Sequence, residues 1–392
     1  MSIALLYERS ETDEIGLKLT AQEMNIDLTF IPFRKIALTI SKKGFTAKTK
    51  GKDYTQTFND IAVVLNRAQS KNRRLQASYL LEMLGKKTIN SSQIEFTCYS
   101  KLRTLLHFWA KGISIPKTVY VPCDTIDTLK SGREIHNEKD IADLLQDEIS
   151  LENGVVVKPD AGTHGKGAML SRNREDLVAS IMETKPSIIN PVGITAQELV
   201  EKWFYDLRII VYKEKGKTPV CHPIALARGG IKDFRTNTYL GNTVFDAKLP
   251  LKVRELAIKC GQALGKGTEA WLFALDAMVN ISENKTVDDA ELKSILKKVE
   301  AAFEQPRKVK ADETRLRDFP SWNHKLEAAF LTYMNSEPYQ NIKSIIEESI
   351  KKNVQGIVFH EANSCPEFWE HTRLIAGINV AVPLLKTAQS LI

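Results

Sequence analysis

The stretch GVVVKPDAGTHGKGAML, Gly154 to Leu170, is an apolar strand that ends at a lysine and enters a loop with Gly162, Gly165 and Gly167 and no bulky side chain. Two familiar nucleotide loops are excluded by it. A Walker loop needs Gly-Lys-Ser/Thr at the start of a helix, and here Lys166 is followed by Gly167 and Ala168. The dinucleotide fingerprint needs spaced glycines between a first strand and its helix, whereas this loop lies far down the chain and runs into Met169-Leu170-Ser171, which reads as a second strand. What remains is a glycine-tipped hairpin, able to fold over a phosphate chain and offer backbone N–H groups without side-chain interference. A plain surface hairpin satisfies the same letters, so the loop alone does not decide its use.

Composition limits the setting. With 392 residues, 43% hydrophobic and 26% charged, the chain has core enough for two or three globular domains. It enters "IALLYE", a buried-strand pattern, without a basic region or cleavage site, and no run reaches bilayer length, so a cytoplasmic protein with no membrane partner is expected. Cys98, Cys123, Cys221, Cys260 and Cys365 are odd in number and widely spaced, which indicates neither a disulfide framework nor a zinc site. The net charge of +7 points to an anionic partner. Part of it sits in Arg34, Lys35, Lys42, Lys43, Lys48, Lys50 and Lys52, on a stretch whose alternating Ile36, Leu38 and Ile40 predict an exposed basic hairpin. No aromatic residues interleave these cations as base stacking requires, so no nucleic acid is expected.

Along the chain, residues 1–95 alternate strand and helix, a parallel α/β unit. Residues 93–111 predict one helix, with Ser100 as a cap and Gly112 as its stop. "ITAQELVE", "DLRIIVY" and "CHPIALA" read as antiparallel strands, followed by a helix over 252–264. Between "AWLFALDAMVN" and "GIVFHEAN", which read as a strand pair, residues 283–353 carry three amphipathic helical stripes.

Several polar groups fall where chemistry could use them. Glu361 and Asn363, two apart in a strand, share a face, and His360 should then project from the other. Two hard oxygen ligands at that spacing suit magnesium, and Asp276, ending its apolar run, could add a third. Taken singly, Asp276 is an ordinary strand-end polar group. Asp206 and Arg208 share a face as well, as an ion pair or as a phosphate contact. Lys101 opens a helix and Lys158 closes a strand, where both could hold anions, and "AQELVEK" leaves backbone suited to an adenine edge. "RTNTYLGNT" gathers Arg235, Asn237, Gly241 and Asn242 in a polar turn.

The order of these signals, and no one of them, resembles the ATP-grasp carboxylate–amine ligases of the RimK and LysX branch, over nearly the whole chain apart from 283–353. The resemblance implies an ATP-grasp α/β fold with a Rossmann-like first domain: 1–95 preceding the grasp, 96–197 as the lid subdomain, and 198–392 as the C-terminal subdomain holding the helical insertion. By it, Lys101 and Lys158 resemble the nucleotide-binding lysines. Gly165, Lys166 and Gly167 look like the phosphate lid, and Glu198, Leu199 and Val200 like the adenine hinge, with Asp206 nearby. Asp276, Glu361 and Asn363 match the ligands of a pair of magnesium ions. Arg208, Arg235 and Asn237 match groups around the transferred phosphoryl. "LNRAQSKNR" resembles the substrate loop, which makes Arg67, Ser70 and Arg73 carboxylate-binding candidates.

The implied enzyme is an ADP-forming ligase that makes an amide through an acyl phosphate, using ATP and magnesium. The opening segment, substrate loop, "CYSKLRTLLHFWAKG" and "ELVEKWFYDLRIIVY" look most like the LysX group, which joins an amino acid to the C-terminal glutamate of a small acidic carrier protein in lysine or arginine biosynthesis. A basic enzyme suits such a partner. A homo-oligomer is expected. Two departures bear on the amine substrate: "RTNTYLGN" is not followed by the usual Ala-Arg-Gly-Gly, which stands earlier at Ala227–Gly230, and "EANSCPEF" mixes the endings of both groups. The alternatives are a RimK-like glutamate ligase acting on a coenzyme or protein C-terminus, and a non-catalytic ATP-binding module such as the synapsin-like proteins.

Overall fold

The computed structural model describes residues 2–122, 138–162, 167–184, 193–229, 235–236, 241–281 and 285–392. Its first sheet is wholly parallel, with strands Leu28–Pro32, Ser2–Tyr7, Ile61–Arg67 and Lys87–Ile89 side by side in that order. A continuous apolar run such as Ile3-Ala4-Leu5-Leu6, which is buried throughout, is what a strand covered on both faces requires. The basic stretch forms a small separate antiparallel sheet of Ala37–Ser41, Gly44–Thr49 and Lys52–Asp53.

Residues 93–111 do not form one helix. Two are present, Ser92–Tyr99 and Lys101–Trp109. Ser100 between them is extended (φ −105°, ψ 130°), and its Oγ accepts a hydrogen bond from Arg103 N at 3.0 Å. A capping serine competes for the backbone donors that a continuous helix would use, so the chain breaks and restarts there. The restart makes Lys101 the first residue of the second helix.

The glycine hairpin belongs to a second unit. Met169–Ser171, Val155–Lys158, Ile194–Glu198 and Thr118–Val121 form an antiparallel sheet in that order, backed by helices Glu138–Glu148 and Arg174–Thr184. Val155, Val157, Leu177, Ile194 and Ala196 are at the centre of a core of its own. A far larger core is shared between the first sheet and the C-terminal sheet, and a third, smaller one lies between the first sheet and the basic sheet. In that C-terminal sheet the strands run Val244–Lys248, Ile224–Gly229, Tyr205–Lys213, Trp271–Val279 and Ile357–Asn363, each antiparallel to its neighbour.

Between its last two strands lie the inserted helices, Asp289–Lys310, Phe319–Met334 and Glu337–Lys352. Leu296, Val299, Leu326, Phe330, Ile342 and Ile346 are buried, so the apolar stripes are consumed by packing. The insertion is also fastened to the edge strand, where Tyr333 Oη donates to Val244 O at 3.1 Å and Tyr339 Oη to Asp246 Oδ1 at 2.6 Å. Among the described residues no helix is long and apolar enough to cross a membrane.

The first sheet's unit is tied to the chain end by helix Thr12–Glu23. Asp13 Oδ1 accepts from Phe368 N at 3.1 Å and Trp369 N at 2.8 Å. The Trp369 ring lies flat on Gly16, where an added Cβ would fall 2.0 Å from Trp369 Cε3. Only glycine admits that approach, so Gly16→Ala is expected to lower stability by about 1–3 kcal/mol, as overpacking does. Urea denaturation checks this, and a loss under ~0.5 kcal/mol, typical of a surface site, would show that the contact is dispensable.

Candidate functional site

The second unit and the C-terminal sheet meet at a cleft lined among others by Lys101, Lys158, Glu198, Asp206, Asp276 and Glu361. Lys101 reaches it because of Asp160. The Asp160 carbonyl accepts from Lys101 N at 3.1 Å and its Oδ1 from Leu102 N at 2.8 Å, so a buried carboxylate sits on the positive end of the helix. That contact fixes the Lys158-Pro159-Asp160 step to the helix start. Lys101 Nζ donates to Gly162 O at 2.6 Å and lies 3.8 Å from Glu361 Oε1.

Strand register builds the acidic side. Arg208 pairs with Asp276, and Asp276 with Glu361, across three adjacent strands, while Asp206 pairs with Arg228 one step along. Arg208 holds Asp276 with two bonds, Nε to Oδ1 at 3.0 Å and Nη2 to Oδ2 at 3.1 Å. Arg228 holds Asp206 at 2.8 and 2.6 Å and lies 3.1 Å from Asp276 Oδ2. The two-apart pair Asp206 and Arg208 therefore does not close on itself, since each side chain has a partner on a neighbouring strand. Burial alone would raise the Asp276 and Asp206 carboxyl pKa values, but the guanidiniums outweigh it and hold both below the usual carboxylate range. Removing one member of such a buried group costs about 3–5 kcal/mol, which makes Arg228 as structural as it is electrostatic.

One expectation is corrected here. His360 was to face away from Glu361, yet both line the cleft. The ladder passes from Asp276↔Glu361 to Ala277↔Phe359, so His360 has no opposite residue and the strand bulges. A bulge places two consecutive side chains on one side, which strict alternation forbids. His360 Nε2 is buried without a hydrogen-bond partner, and burial, then nearby Lys158, pushes the imidazole pKa down to about 4. Asn363 keeps the face of Glu361, opposite Ala274, but is not among the residues lining the cleft.

Glu198, Leu199 and Val200 line the far wall. There Glu198 Oε1 accepts from Lys117 N at 2.9 Å and Leu199 N donates to Gly154 O at 3.0 Å, which stitches the connection between the two sheets. Arg235 and Thr236 line the cleft from the polar turn, and Gly167 (φ +72°) takes the left-handed backbone that glycine allows. Gly165, Lys166 and Asn237 lie outside the described residues.

The substrate loop is less open than expected. Arg67 is buried, with Nη2 on Asp13 Oδ2 at 2.7 Å, Nη1 on Pro366 O at 2.8 Å and its guanidinium over Phe368. Arg73 is exposed and paired with Glu8, whose carboxylate also accepts from Ser70 N at 3.3 Å. Sequence reasoning missed Lys71, Asp160, Arg228 and Lys202. Lys202 and Arg228 line the cleft and Asp160 pins its edge. Of these, only Arg228 carried a visible signal, the displaced Ala-Arg-Gly-Gly.

The donor chemistry fits a nucleotide with magnesium. Asp276 receives three guanidinium contacts out of a carboxylate's roughly four acceptor positions, and Glu361 faces it across the ladder. Among the described residues no three His, Cys, Asp or Glu gather closely enough to hold a metal ion. A hard cation that brings phosphate oxygens and water as its other ligands suits this set better than one held by protein alone. Burial would raise the Glu361 pKa, but Lys101 and Lys71 outweigh it and keep the carboxyl below its ordinary value.

A lid sheet with its own core, closing a lysine-lined cleft against an acidic antiparallel sheet, is the ATP-grasp ligase fold. The VanG D-Ala:D-Ser ligase from Enterococcus faecalis aligns over 100% of this chain and 99% of its own, with a TM-score of 0.58 at 13% identity. The ATP-grasp ligase PsnB, solved with a minimal precursor, aligns over 100% and 98%, with a TM-score of 0.54 at 12% identity. More particularly, residues 123–287 match the RimK-like ATP-grasp domain. Among curated relatives, the alpha-aminoadipate–LysW ligase LysX of Sulfurisphaera tokodaii is 28% identical over 54% of this chain and 67% of its own length. The probable alpha-L-glutamate ligase of Coxiella burnetii is 29% identical over 47% of this chain and 54% of its own length.

Lys158 gives the site a pH signature. Burial, and then the like charge of Lys101, lower its pKa to about 8. Its ammonium attracts phosphate and its neutral amine does not, so ATP affinity should fall as pH rises through that value, by up to about tenfold per unit. Calorimetric titration with ATP is expected to show this slope, flattened in Lys158→Arg, whose guanidinium stays charged. A flat wild-type profile would mean that Lys158 does not meet the phosphates.

Proposed function

We propose that this ATP-grasp ligase joins an amino acid to the C-terminal glutamate of a small acidic carrier protein, as in lysine or arginine biosynthesis, in the manner of the LysX group. The observation that carries the reading is the pair Asp276 and Glu361, opposite each other on adjacent strands with Arg208 holding Asp276 from the next, which shares one cleft with Lys101 and Lys158. The net charge of +7 suits an acidic partner.

In this reading Lys101 and Lys158 hold the phosphates of ATP, the Glu198–Val200 backbone takes the adenine edge, and the glycine hairpin covers the triphosphate. A carboxylate oxygen of the first substrate attacks the γ-phosphorus and ADP leaves. The amine of the second substrate then attacks the carbonyl carbon of the acyl phosphate, the C–N bond forms, phosphate leaves, and the nitrogen gives up its proton. Arg208, Arg235 and Asn237 surround the transferred phosphoryl, and their fixed charges act where charge develops. Magnesium would be held through Asp276 and Glu361, with Asn363 joining from the same strand face once nucleotide is bound, and would neutralise phosphate charge. The hairpin excludes water, which would hydrolyse the intermediate. At the substrate loop, Ser70 and Arg73 receive the substrate carboxylate while Arg67 anchors the loop. The protein works in the cytoplasm, where ATP is supplied.

A second reading, a glutamate ligase acting on a coenzyme or protein C-terminus, draws on the similarity to the Coxiella burnetii relative. ADP release separates the two. With ATP, magnesium and a panel of amino acids, turnover that requires a purified acidic carrier and disappears in Glu361→Ala supports the first. Turnover with free glutamate and a peptide or coenzyme, indifferent to the carrier, supports the second.

Metal removal makes a further prediction. EDTA is expected to stop ADP release while leaving the melting midpoint of the nucleotide-free protein unchanged, because the metal binds with the nucleotide. A midpoint that falls with EDTA would reveal a resident structural metal instead.

A further inference from the structure

The inserted helices reach the site without entering the cleft. From the first of them, Arg307 extends Nη2 to the carbonyl oxygen of Gly241 at 2.9 Å. The guanidinium is set in advance: Nη1 lies 2.8 Å from Glu304 Oε2, Nη2 lies 3.1 Å from Glu300 Oε2, and the whole group sits over the Phe303 ring. Gly241 belongs to the polar turn, and the next residue, Asn242, donates from Nδ2 to Arg235 O at the turn's far end, at 3.0 Å. Arg235 and Thr236 are the turn's contribution to the cleft. Pro306 lies one residue before Arg307, inside the helix and buried, so the segment that presents the guanidinium is packed in place.

We propose that Arg307 is a positioning residue, and that the insertion serves the reaction by fixing the Arg235-bearing turn relative to the cleft. The inference rests on the ligase reading above, in which Arg235 faces the transferred phosphoryl. Here a charged donor anchors the turn from outside, held by two carboxylates on its own helix. Phosphoryl transfer depends on such placement, since a displacement near 1 Å can cost ~100-fold in rate. Arg307 is part-exposed and its bond to Gly241 is at the surface of the core, so removing it should disturb geometry more than stability.

The test is a double-mutant cycle read by ADP release in the full chain. Arg307→Ala is expected to lower kcat by ~10- to 100-fold with the KM for ATP and the melting midpoint nearly unchanged, and Arg307→Lys to recover part of the loss. In an Arg235→Ala background, Arg307→Ala should add almost nothing, because both changes remove the same contribution. Losses that multiply, or a lowered melting midpoint with kcat intact, would overturn the proposal. Hydrogen exchange gives a readout independent of turnover: residues 241–244 should exchange faster in Arg307→Ala, and unchanged exchange there would also overturn it. Silence of the wild type across all substrates, with that exchange difference present, would fault the ligase reading and leave the clamp on the turn standing.

Discussion

Asp206, Arg228, Asp276 and Arg208 form a buried alternation of charge across three antiparallel strands, and the candidate site depends on it. Each carboxylate is desolvated, which by itself would neutralise it. Each is also met by a planar guanidinium that supplies paired donors at hydrogen-bonding distance, so ionisation survives burial. The group has a register built into it: a slip of one residue in any of the three strands would send its members to opposite faces and leave bare charges in the core. The same interaction that fixes the sheet therefore orients Asp276 toward the cleft, and orientation settled before a ligand arrives is what electrostatic catalysis requires.

Around this row the molecule is divided by its cores. The lid sheet has its own apolar centre, whereas the first sheet, the C-terminal sheet and the insertion share another. The cleft lies at their meeting, and its lysines come from both sides: Lys158 ends a lid strand and Lys101 opens a helix packed into the shared core through Phe108 and Phe359. Asp160 bridges the two by capping that helix from the lid side. Long-range apolar packing thus sets which elements can meet, and a few charged contacts set how they meet. The insertion follows the same division, with buried Leu, Phe and Ile stripes holding it on the sheet edge while Arg307 and Lys310 reach the turn and the chain-end loop.

Much of this was legible in the chain. Periodicity fixed the parallel first sheet, the antiparallel strands and the three inserted helices, because a period of two or of 3.6 is a local property of apolar spacing. The Lys158-Pro159 step and Glu361 marked strand ends that border the cleft, because their residue types are tied to a backbone or ligand need. Alternation failed only where a local event broke the count, at Ser100, which splits one predicted helix, and at His360, which a bulge turns into the cleft. What the letters could not carry was partner choice. Arg67 and Arg73 look alike in the sequence, yet Arg67 is buried on Asp13 while Arg73 stays at the surface. Asp206 and Arg208 are neighbours on one face, yet each closes with a residue on another strand. Spacing along a strand decides which face a charge occupies, and only the assembled sheet decides which opposite charge it finds there.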